Sequence, residues 1–369
     1  MFRKIFQYLR YYDWVLFFSA LLLVSFSLAA LYGIATSFDQ PNFSNFFKQL
    51  IFVGIGLILY GTISLIDYSS LKSYAYIFYI FIFGLLTWVL FFGQTLRGTT
   101  GWINIFGFAF QPVELAKLAL LVVVAKMFSN QSLRAQNLLF LLRTTALTVM
   151  YFFLIILQPD FGSAILLLLM WSGMLILSGV SKKYIFGIAA LVALAFIMGW
   201  LFFFQAYQKD RILTFFQPTA DPLGSGYNVR QSIIAIGSGS FLGKGLASGS
   251  QSQLKFIPAS QTDFIYAVIS EELGFIGAAV VVVLYVVLFY RLFRIAQRTD
   301  DEYALYLVAG ILILFFSQFM INIGMNLGIM PVTGISLPFM SYGGSFLVIS
   351  FLLLGAAQSI YIRTIKYRI

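Results

Sequence analysis

Three carboxylates crowd the stretch "FIPASQTDFIYAVISEELG", residues 256 to 274: Asp263, Glu271 and Glu272, in a chain with only 13 acidic residues. Two other stretches set ionisable groups in apolar surroundings. "QPVELAKLALL" carries Glu114 and Lys117, whose spacing puts both on one face of a helix within pairing distance. "LQPDFGSA" carries Asp160 where the chain turns. The chain has no His and no Cys. Any general base must therefore be a carboxylate or a lysine, disulfides and thiol chemistry are excluded, and zinc sites of the His or Cys type are ruled out.

Each group has two readings. Asp263 follows Thr262 and precedes an apolar run, so either residue could cap a helix, or Asp263 is a reactive carboxylate at a helix start. A helix N-terminus lowers a carboxylate pKa, partial burial raises it, and a divalent cation would use an ionised Asp directly. Glu271 and Glu272 are expected about 12–14 Å deeper along the same helix, paired with other helices rather than meeting substrate. Glu114 and Lys117 form either a packing ion pair or part of a polar interior, because ionisable groups in a bilayer are costly. Pro159 reads as a first helical position or turn element, and Asp160 as a first-turn carboxylate favoured by the helix dipole, or a plain cap.

The composition says what scaffold holds these groups. Hydrophobic residues make up 61% of 369 and charged residues 10%, with mean hydropathy +0.93; a soluble domain carries about 25% charge. Runs of about 20 apolar residues recur, the length a bilayer-spanning helix needs. The 42 Phe and 21 Tyr fit lipid-facing surface and interfacial belts. Ten spans are expected, near 14–34, 46–66, 75–92, 113–129, 140–157, 161–180, 184–205, 265–290, 303–327 and 343–362. The first is too long for a signal-peptide core and reads as an uncleaved span. The expected architecture is an all-α polytopic membrane protein. A single integral membrane domain covers 1–369, with a large extracellular loop, 206–264, between the seventh and eighth spans.

Basic residues set the orientation. Ten spans put both termini on one side, with Arg3, Lys4 and Arg10 at one end of the chain and Arg363, Lys366 and Arg368 at the other. Connections on that side hold Lys72, Lys126, Arg134, Arg143, Lys182, Lys183, Arg291, Arg294 and Arg298. The short opposite loops hold Arg97, with Lys48 near a span edge. This excess places both termini in the cytoplasm, and the net charge of +10 suits anionic headgroups rather than nucleic acid. All eight prolines fall on the outer side, with the Gly-rich stretches "LRGTTGWINIFGFAFQP", "SGYNVRQSIIAIGSGSFLGKG" and "PVTGISLPFMSYGGS". Prolines can simply end helices. Irregular backbone at the membrane also needs protein or water around it, which points to a cavity and to function on the outer face.

At these stretches the chain resembles the SEDS family of bacterial envelope proteins, over nearly its whole length. Five motifs stand in family order: "GWINIFGFAFQPVELAKL", "QPDFGSA", "DPLGSGYNVRQSIIAIGSGSFLGKGL", "SQSQLKFIPASQTDFIYAVISEELGF" and "PVTGISLPFMSYGGS". "SQSQLKF" resembles the elongation branch of the family more than its division branch. The resemblance implies a peptidoglycan glycosyltransferase on the outer face of the bacterial cytoplasmic membrane, polymerising lipid II into β-1,4 glycan strands with inversion during cell elongation. It puts the catalytic Asp of the family's TDF motif on Asp263, which would also ligate a divalent cation, Mg or Mn, if one takes part. The family's paired charges fall on Glu114 and Lys117, and its QPD carboxylate on Asp160. The expected substrate-binding residues are Arg97, Trp102, Glu114, Lys117, Asp160, Arg211 and Lys255, of which Arg97, Arg211 and Lys255 suit a developing diphosphate charge. Expected partners are lipid II, undecaprenyl-diphosphate-linked glycan, a class B penicillin-binding protein transpeptidase and other elongation-complex membrane proteins. The sequence departs from the family pattern at Ala259 and Gln261, where Glu and His are usual before Thr-Asp. It also departs at Val113, where Ser is common, and at Phe346 after "YGGS". A lipid II flippase, an ion-coupled transporter and a structural scaffold are the alternative functions.

Overall fold

The computed structural model describes residues 11–36, 41–96, 98–105, 107–130, 138–203, 209, 213–215 and 225–366. Three helices come first: α1 (Trp14–Ala35), α2 (Ser44–Leu65) and α3 (Ser69–Phe92). Strands β1 (Gln94–Leu96), β2 (Thr99–Ile105) and β3 (Phe108–Phe110) follow. Next are α4 (Pro112–Phe128), α5 (Leu138–Leu157), α6 (Phe161–Leu177) and α7 (Lys182–Met198), the last running into a π-helical turn, Gly199–Phe203. The chain closes with α8 (Ser225–Ser238), α9 (Ser250–Gln253), α10 (Ile265–Arg298), α11 (Glu302–Asn326) and α12 (Gly344–Lys366).

Helices α1 to α7 and α10 to α12 correspond to the ten expected spans, the third starting earlier, at Ser69, and the eighth running on to Arg298. Eight are long and apolar enough to cross a bilayer. The other two, α4 and α6, have 17 residues each, about 26 Å against a hydrocarbon layer of about 30 Å. Protein covers most of α4, whereas Ile176 and Leu177 at the end of α6 are exposed. In α4 all but Leu115 and Lys126 are buried, enclosed by α3, α5, α6, α11 and α12, as a helix apolar all round requires. In α7, by contrast, none of the described side chains from Lys182 to Met198 is buried.

The all-α polytopic fold is as expected, with one small addition to the helices. Strands β1, β2 and β3 form a small antiparallel sheet, pairing Leu96 with Thr99 and Ile105 with Phe108. Gly98 and Gly107, at φ of 81° and 84°, supply the left-handed backbone that tight hairpins need. The expected loop 206–264 is also partly helical, with α8 laid along α10 and α9 between α1 and α10.

The expected placement of Glu271 and Glu272 needs correction, because α10 is broken at Gly274 (φ 65°, ψ −163°). The segment after α8 crosses the break. Phe275 N donates to Ser240 O at 2.9 Å, and Lys244 N and Gly245 N donate to the carbonyls of Glu271 and Glu272 at 3.1 and 2.9 Å. A Cβ at Gly274 would lie 2.2 Å from Gly243 N, so the crossing tolerates no side chain there. The arm from Phe275 to Arg298 is about 36 Å long and crosses a bilayer alone. Glu271 and Glu272 therefore stay near the bundle end rather than going deeper. Glu271 accepts from Lys244 Nζ (3.1 Å), Gln251 N (2.8 Å) and Ser252 N (3.0 Å), all in the preceding loop and α9 rather than in another spanning helix. Glu272 packs on Gly33, near the last turn of α1.

The chain alternates between two ends. At the basic end Asp13 caps α1 through Leu16 N (3.0 Å) and accepts from Arg291 Nε and Nη2 at 2.8 and 2.6 Å. Arg363 reaches Asp67 at 3.5 Å and donates to Leu65 O at 3.0 Å. Burial, and then the Asp301 carboxylate, push the Tyr68 hydroxyl up to about 12. The described prolines, Pro41, Pro112, Pro159, Pro258, Pro331 and Pro338, all lie at the other end. Pro218 and Pro222 lie outside the described residues.

Candidate active site

At the proline-bearing end the connection from α11 to α12, residues 331–343, is the hub. It has no regular structure, so side chains must satisfy its backbone groups. The Tyr285 hydroxyl donates to Pro338 O, Gln49 Nε2 donates to Ser341 O at 3.3 Å, and Tyr342 N donates to Gln261 O at 2.8 Å. The Ser341 hydroxyl accepts from Leu337 N (2.7 Å) and donates to Thr262 O (2.6 Å). The hub is thus stitched to the residues just before Asp263.

Asp263 is half-buried. Its Oδ2 lies 3.7 Å from where a Cβ on Gly334 would stand, and Gly334 takes φ 74°. A side chain at that left-handed position would be strained and would crowd the carboxylate. The cap reading of Asp263 does not hold. Helix α10 starts at Ile265 with Phe264 as its N-cap and no side-chain cap bond. Asn326 of α11 supplies the missing acceptor instead, its Oδ1 taking Ala267 N at 3.2 Å. Thr262 spends its hydroxyl on Ala259 O, at 3.3 Å.

The other carboxylates are built in. Asp160 is the N-cap of α6 rather than a first-turn residue: Oδ1 accepts from Ser163 N and Oδ2 from Gln111 Nε2, both at 3.0 Å. Gln111 precedes α4, and its N–H donates to Ser345 Oγ at 3.3 Å. One and a half turns on, Lys117 Nζ meets Glu114 Oε1 at 2.7 Å, with both side chains almost wholly buried. The expected i, i+3 pair is therefore formed. The Phe346 ring, a departure from the family pattern, lies 5.9 Å from Lys117 Nζ, close enough for a cation–π contact. Gln261, another departure, accepts from Asn45 Nδ2 at 2.6 Å.

Trp102 lies half-buried on β2 and donates from Nε1 to Thr99 Oγ1 at 2.9 Å. The sheet is tied to the Asp160 turn by Thr100 N donating to Gln158 O at 3.3 Å. Lys255 is exposed on the loop between α9 and α10, at φ 58°. Arg97 and Arg211 lie outside the described residues. The structure thus gathers Asp263, Asp160, Glu114, Lys117 and Trp102 at one end of the bundle, around the hub and the first turn of α12. Sequence reasoning missed Gln49, Gln111, Asn322, Asn326 and Ser341, which fix that arrangement. Their signal was present: amide and hydroxyl side chains inside apolar runs are expensive unless paired.

Comparison with known proteins bears directly on this arrangement. The profile of a family described as cell cycle protein, FtsW/RodA/SpoVE, matches residues 8–364. The peptidoglycan glycosyltransferase MrdB of Escherichia coli is 37% identical over 314 residues, covering 84% of this chain and 83% of its own. Stage V sporulation protein E of Bacillus subtilis is 34% identical over 358 residues, covering 94% and 96%. Among solved structures, a chain described under structural coordination of polymerization and crosslinking by a peptidoglycan synthase complex superposes with TM-score 0.81 at 29% identity. It covers 96% of this chain and 98% of its own. The crystal structure of the rod shape determining protein RodA of Thermus thermophilus gives TM-score 0.71 at 26% identity, over 95% and 96%.

Proposed function

The chain belongs to the FtsW/RodA/SpoVE family and is a peptidoglycan glycosyltransferase, and from that premise we propose that Asp263 activates the acceptor hydroxyl for a single displacement on lipid II. The GlcNAc 4-hydroxyl of one chain attacks the anomeric carbon of the other chain's terminal MurNAc. Its proton passes to the Asp263 carboxylate, the new C–O bond forms with β configuration, and the electrons of the broken α bond leave with undecaprenyl diphosphate. The observation that carries this reading is the place of Asp263: the carboxylate is half-buried, with Oδ2 3.7 Å from where a Cβ on Gly334 would stand, beside the irregular connection between α11 and α12.

Mg or Mn fits the same position. Among the described residues no three Asp, Glu, His or Cys side chains gather to cage a metal, but Mg-type ions bind through one or two carboxylates plus substrate phosphates. Held by Asp263, such an ion would neutralise the diphosphate. Lys117, paired with Glu114, and Lys255 on the loop between α9 and α10 are the described cations of the substrate-binding set, which also includes Trp102 and Asp160. Arg97 and Arg211 complete the set.

We place the reaction on the outer face of the bacterial cytoplasmic membrane, with both termini inside, because the basic connections lie at the end opposite Asp263. The elongation role and a class B penicillin-binding protein partner are part of the same proposal. The second is supported by the relative solved as part of a peptidoglycan synthase complex. Purified protein given lipid II tests the catalytic reading. Asp263→Ala and Asp263→Asn should each cut polymer formation by about 10² to 10⁴, with little change in melting temperature, since neither removes a helix cap. Near wild-type polymerisation by Asp263→Asn would move the catalytic assignment elsewhere. In intact cells, an impermeant thiol reagent should label Lys255→Cys and spare Arg298→Cys, and the reverse pattern would invert the orientation.

A further inference from the structure

Asp263 approaches Gly334 through two separate chain segments, and neither is a regular element at that point. Something must hold the two backbones in register. Two asparagines one turn apart on α11, Asn322 and Asn326 in "MINIGMN", do so, and both are completely buried. The Asn322 amide splits its two hydrogens, Nδ2 donating to Asp263 O at 3.0 Å and to Ile335 O at 2.8 Å. One NH₂ group thus bridges the peptide of Asp263 to the residue that follows Gly334. Asn326 Nδ2 donates to the same Asp263 carbonyl at 2.9 Å and to Asn322 O at 2.8 Å, while its Oδ1 takes Ala267 N from the first turn of α10.

Asn326 thus serves the start of α10 as well as the Asp263 carbonyl, and Asn322 serves the Asp263 and Ile335 carbonyls. An amide buried in a membrane helix is costly unless its donors and acceptors are met. Here they are met by the carbonyls of Asp263 and Ile335, by Ala267 N, and between the two asparagines themselves. A carbonyl can accept two hydrogen bonds, and the Asp263 carbonyl takes both asparagine donors. With φ and ψ fixed on either side of its Cα, the carboxylate has one rotatable bond to the Cβ and one beyond it. We propose that Asn322 and Asn326 are positioning residues for Asp263: they set the backbone of the Thr262–Phe264 segment against the Gly334 turn, so that the carboxylate faces the reacting hydroxyl. The proposal rests on the catalytic reading of Asp263 given above.

The test measures lipid II polymerisation per folded enzyme in purified protein. Asn322→Ala should lower kcat about 10- to 100-fold, the range for losing a partner that orients a reacting group, with KM within about twofold of wild type. Asn322→Asp, of the same size but without the donors, should be no better than Asn322→Ala. Asn326→Ala removes one of two donors on the Asp263 carbonyl and should lower kcat less, which gives a second readout if Asn322→Ala fails to fold. A purely structural role predicts fewer folded molecules, each turning over at the wild-type rate. If folded Asn322→Ala and Asn326→Ala keep wild-type kcat while Asp263→Asn is inactive, the positioning role is overturned and the catalytic reading survives. If Asp263→Asn is itself active, both fall.

Discussion

The two ends of the bundle are fixed by different chemistry. At the basic end, charges meet charges: Asp13 takes Arg291 through two nitrogens, and Asp67 takes Arg363. At the other end, neutral side chains meet backbone: Asn322, Asn326, Ser341 and Gln49 hold irregular segments in place. Ion pairs between long side chains tolerate small shifts, because a Coulomb attraction falls slowly with distance. Hydrogen bonds from short amides and hydroxyls to carbonyls do not, because they weaken steeply with angle. The basic end is therefore a closure, and the Asp263 end is a template. Two ion pairs also stand at this end, Glu271 with Lys244 and the buried Glu114–Lys117 pair, and the second lets the comparison be tested, since it brings an ion pair into the template.

The largest expected effect comes from that pair. With both side chains almost wholly buried, removing either partner leaves an uncompensated charge, and Glu114→Ala or Lys117→Ala should each cost about 3–5 kcal/mol. The double variant should cost much less than the sum in a denaturant-unfolding cycle. Strict additivity would break the claim that the two act as one unit.

Next in size is the break in α10. Gly274→Ala places a side chain at φ 65°, ψ −163°, and against Gly243 N. The backbone strain alone is worth about 1–3 kcal/mol, so the variant should melt lower and expose the 239–249 segment to protease. A Gly274→Ala protein of unchanged stability and protease resistance would show that the loop does not need the close crossing.

The smallest effect belongs to the basic end. Burial opposes ionisation of Asp67, but the Ser69 N–H and hydroxyl and then Arg363 outweigh it and hold the carboxyl below its ordinary range. A lowered folded pKa means the unfolded chain binds the proton first as pH falls. The contribution is therefore complete above a pH of about 4 and is lost as pH drops through the lower, folded value. The carboxylate is half exposed, so the whole effect should stay within about 1 kcal/mol. Asp67→Asn should flatten the acid limb of the stability curve by no more than that, and a larger change would mean that charge organises this end more than the comparison allows.

Much of the fold was legible in advance for one physical reason. Hydrocarbon offers the backbone no hydrogen-bond partner, so each long apolar run must be helical, and α1 to α7 and α10 to α12 follow from composition and length. Short-range pairing was legible for a similar reason. Glu114 and Lys117 lie three residues apart, and helix geometry alone brings them together. The small sheet was missed because its alternation in "TTGWINI" is brief and sits between two apolar runs that dominate any window.

What the sequence could not fix depends on residues far apart in the chain. The break at Gly274 exists because Gly243, from a loop 31 positions earlier, needs the space beside it. Helix α10 starts after Asp263 with Phe264 as its N-cap, and Asn326, 63 positions after Asp263, accepts the Ala267 amide of the first turn and holds the Asp263 carbonyl. Local pattern chose the residue types that could do chemistry and the helices that carry them. Which donors the carboxylates Asp160 and Glu271 hold was settled only by packing, because a hydrogen-bond donor is satisfied by whichever acceptor the tertiary fold brings within about 3 Å.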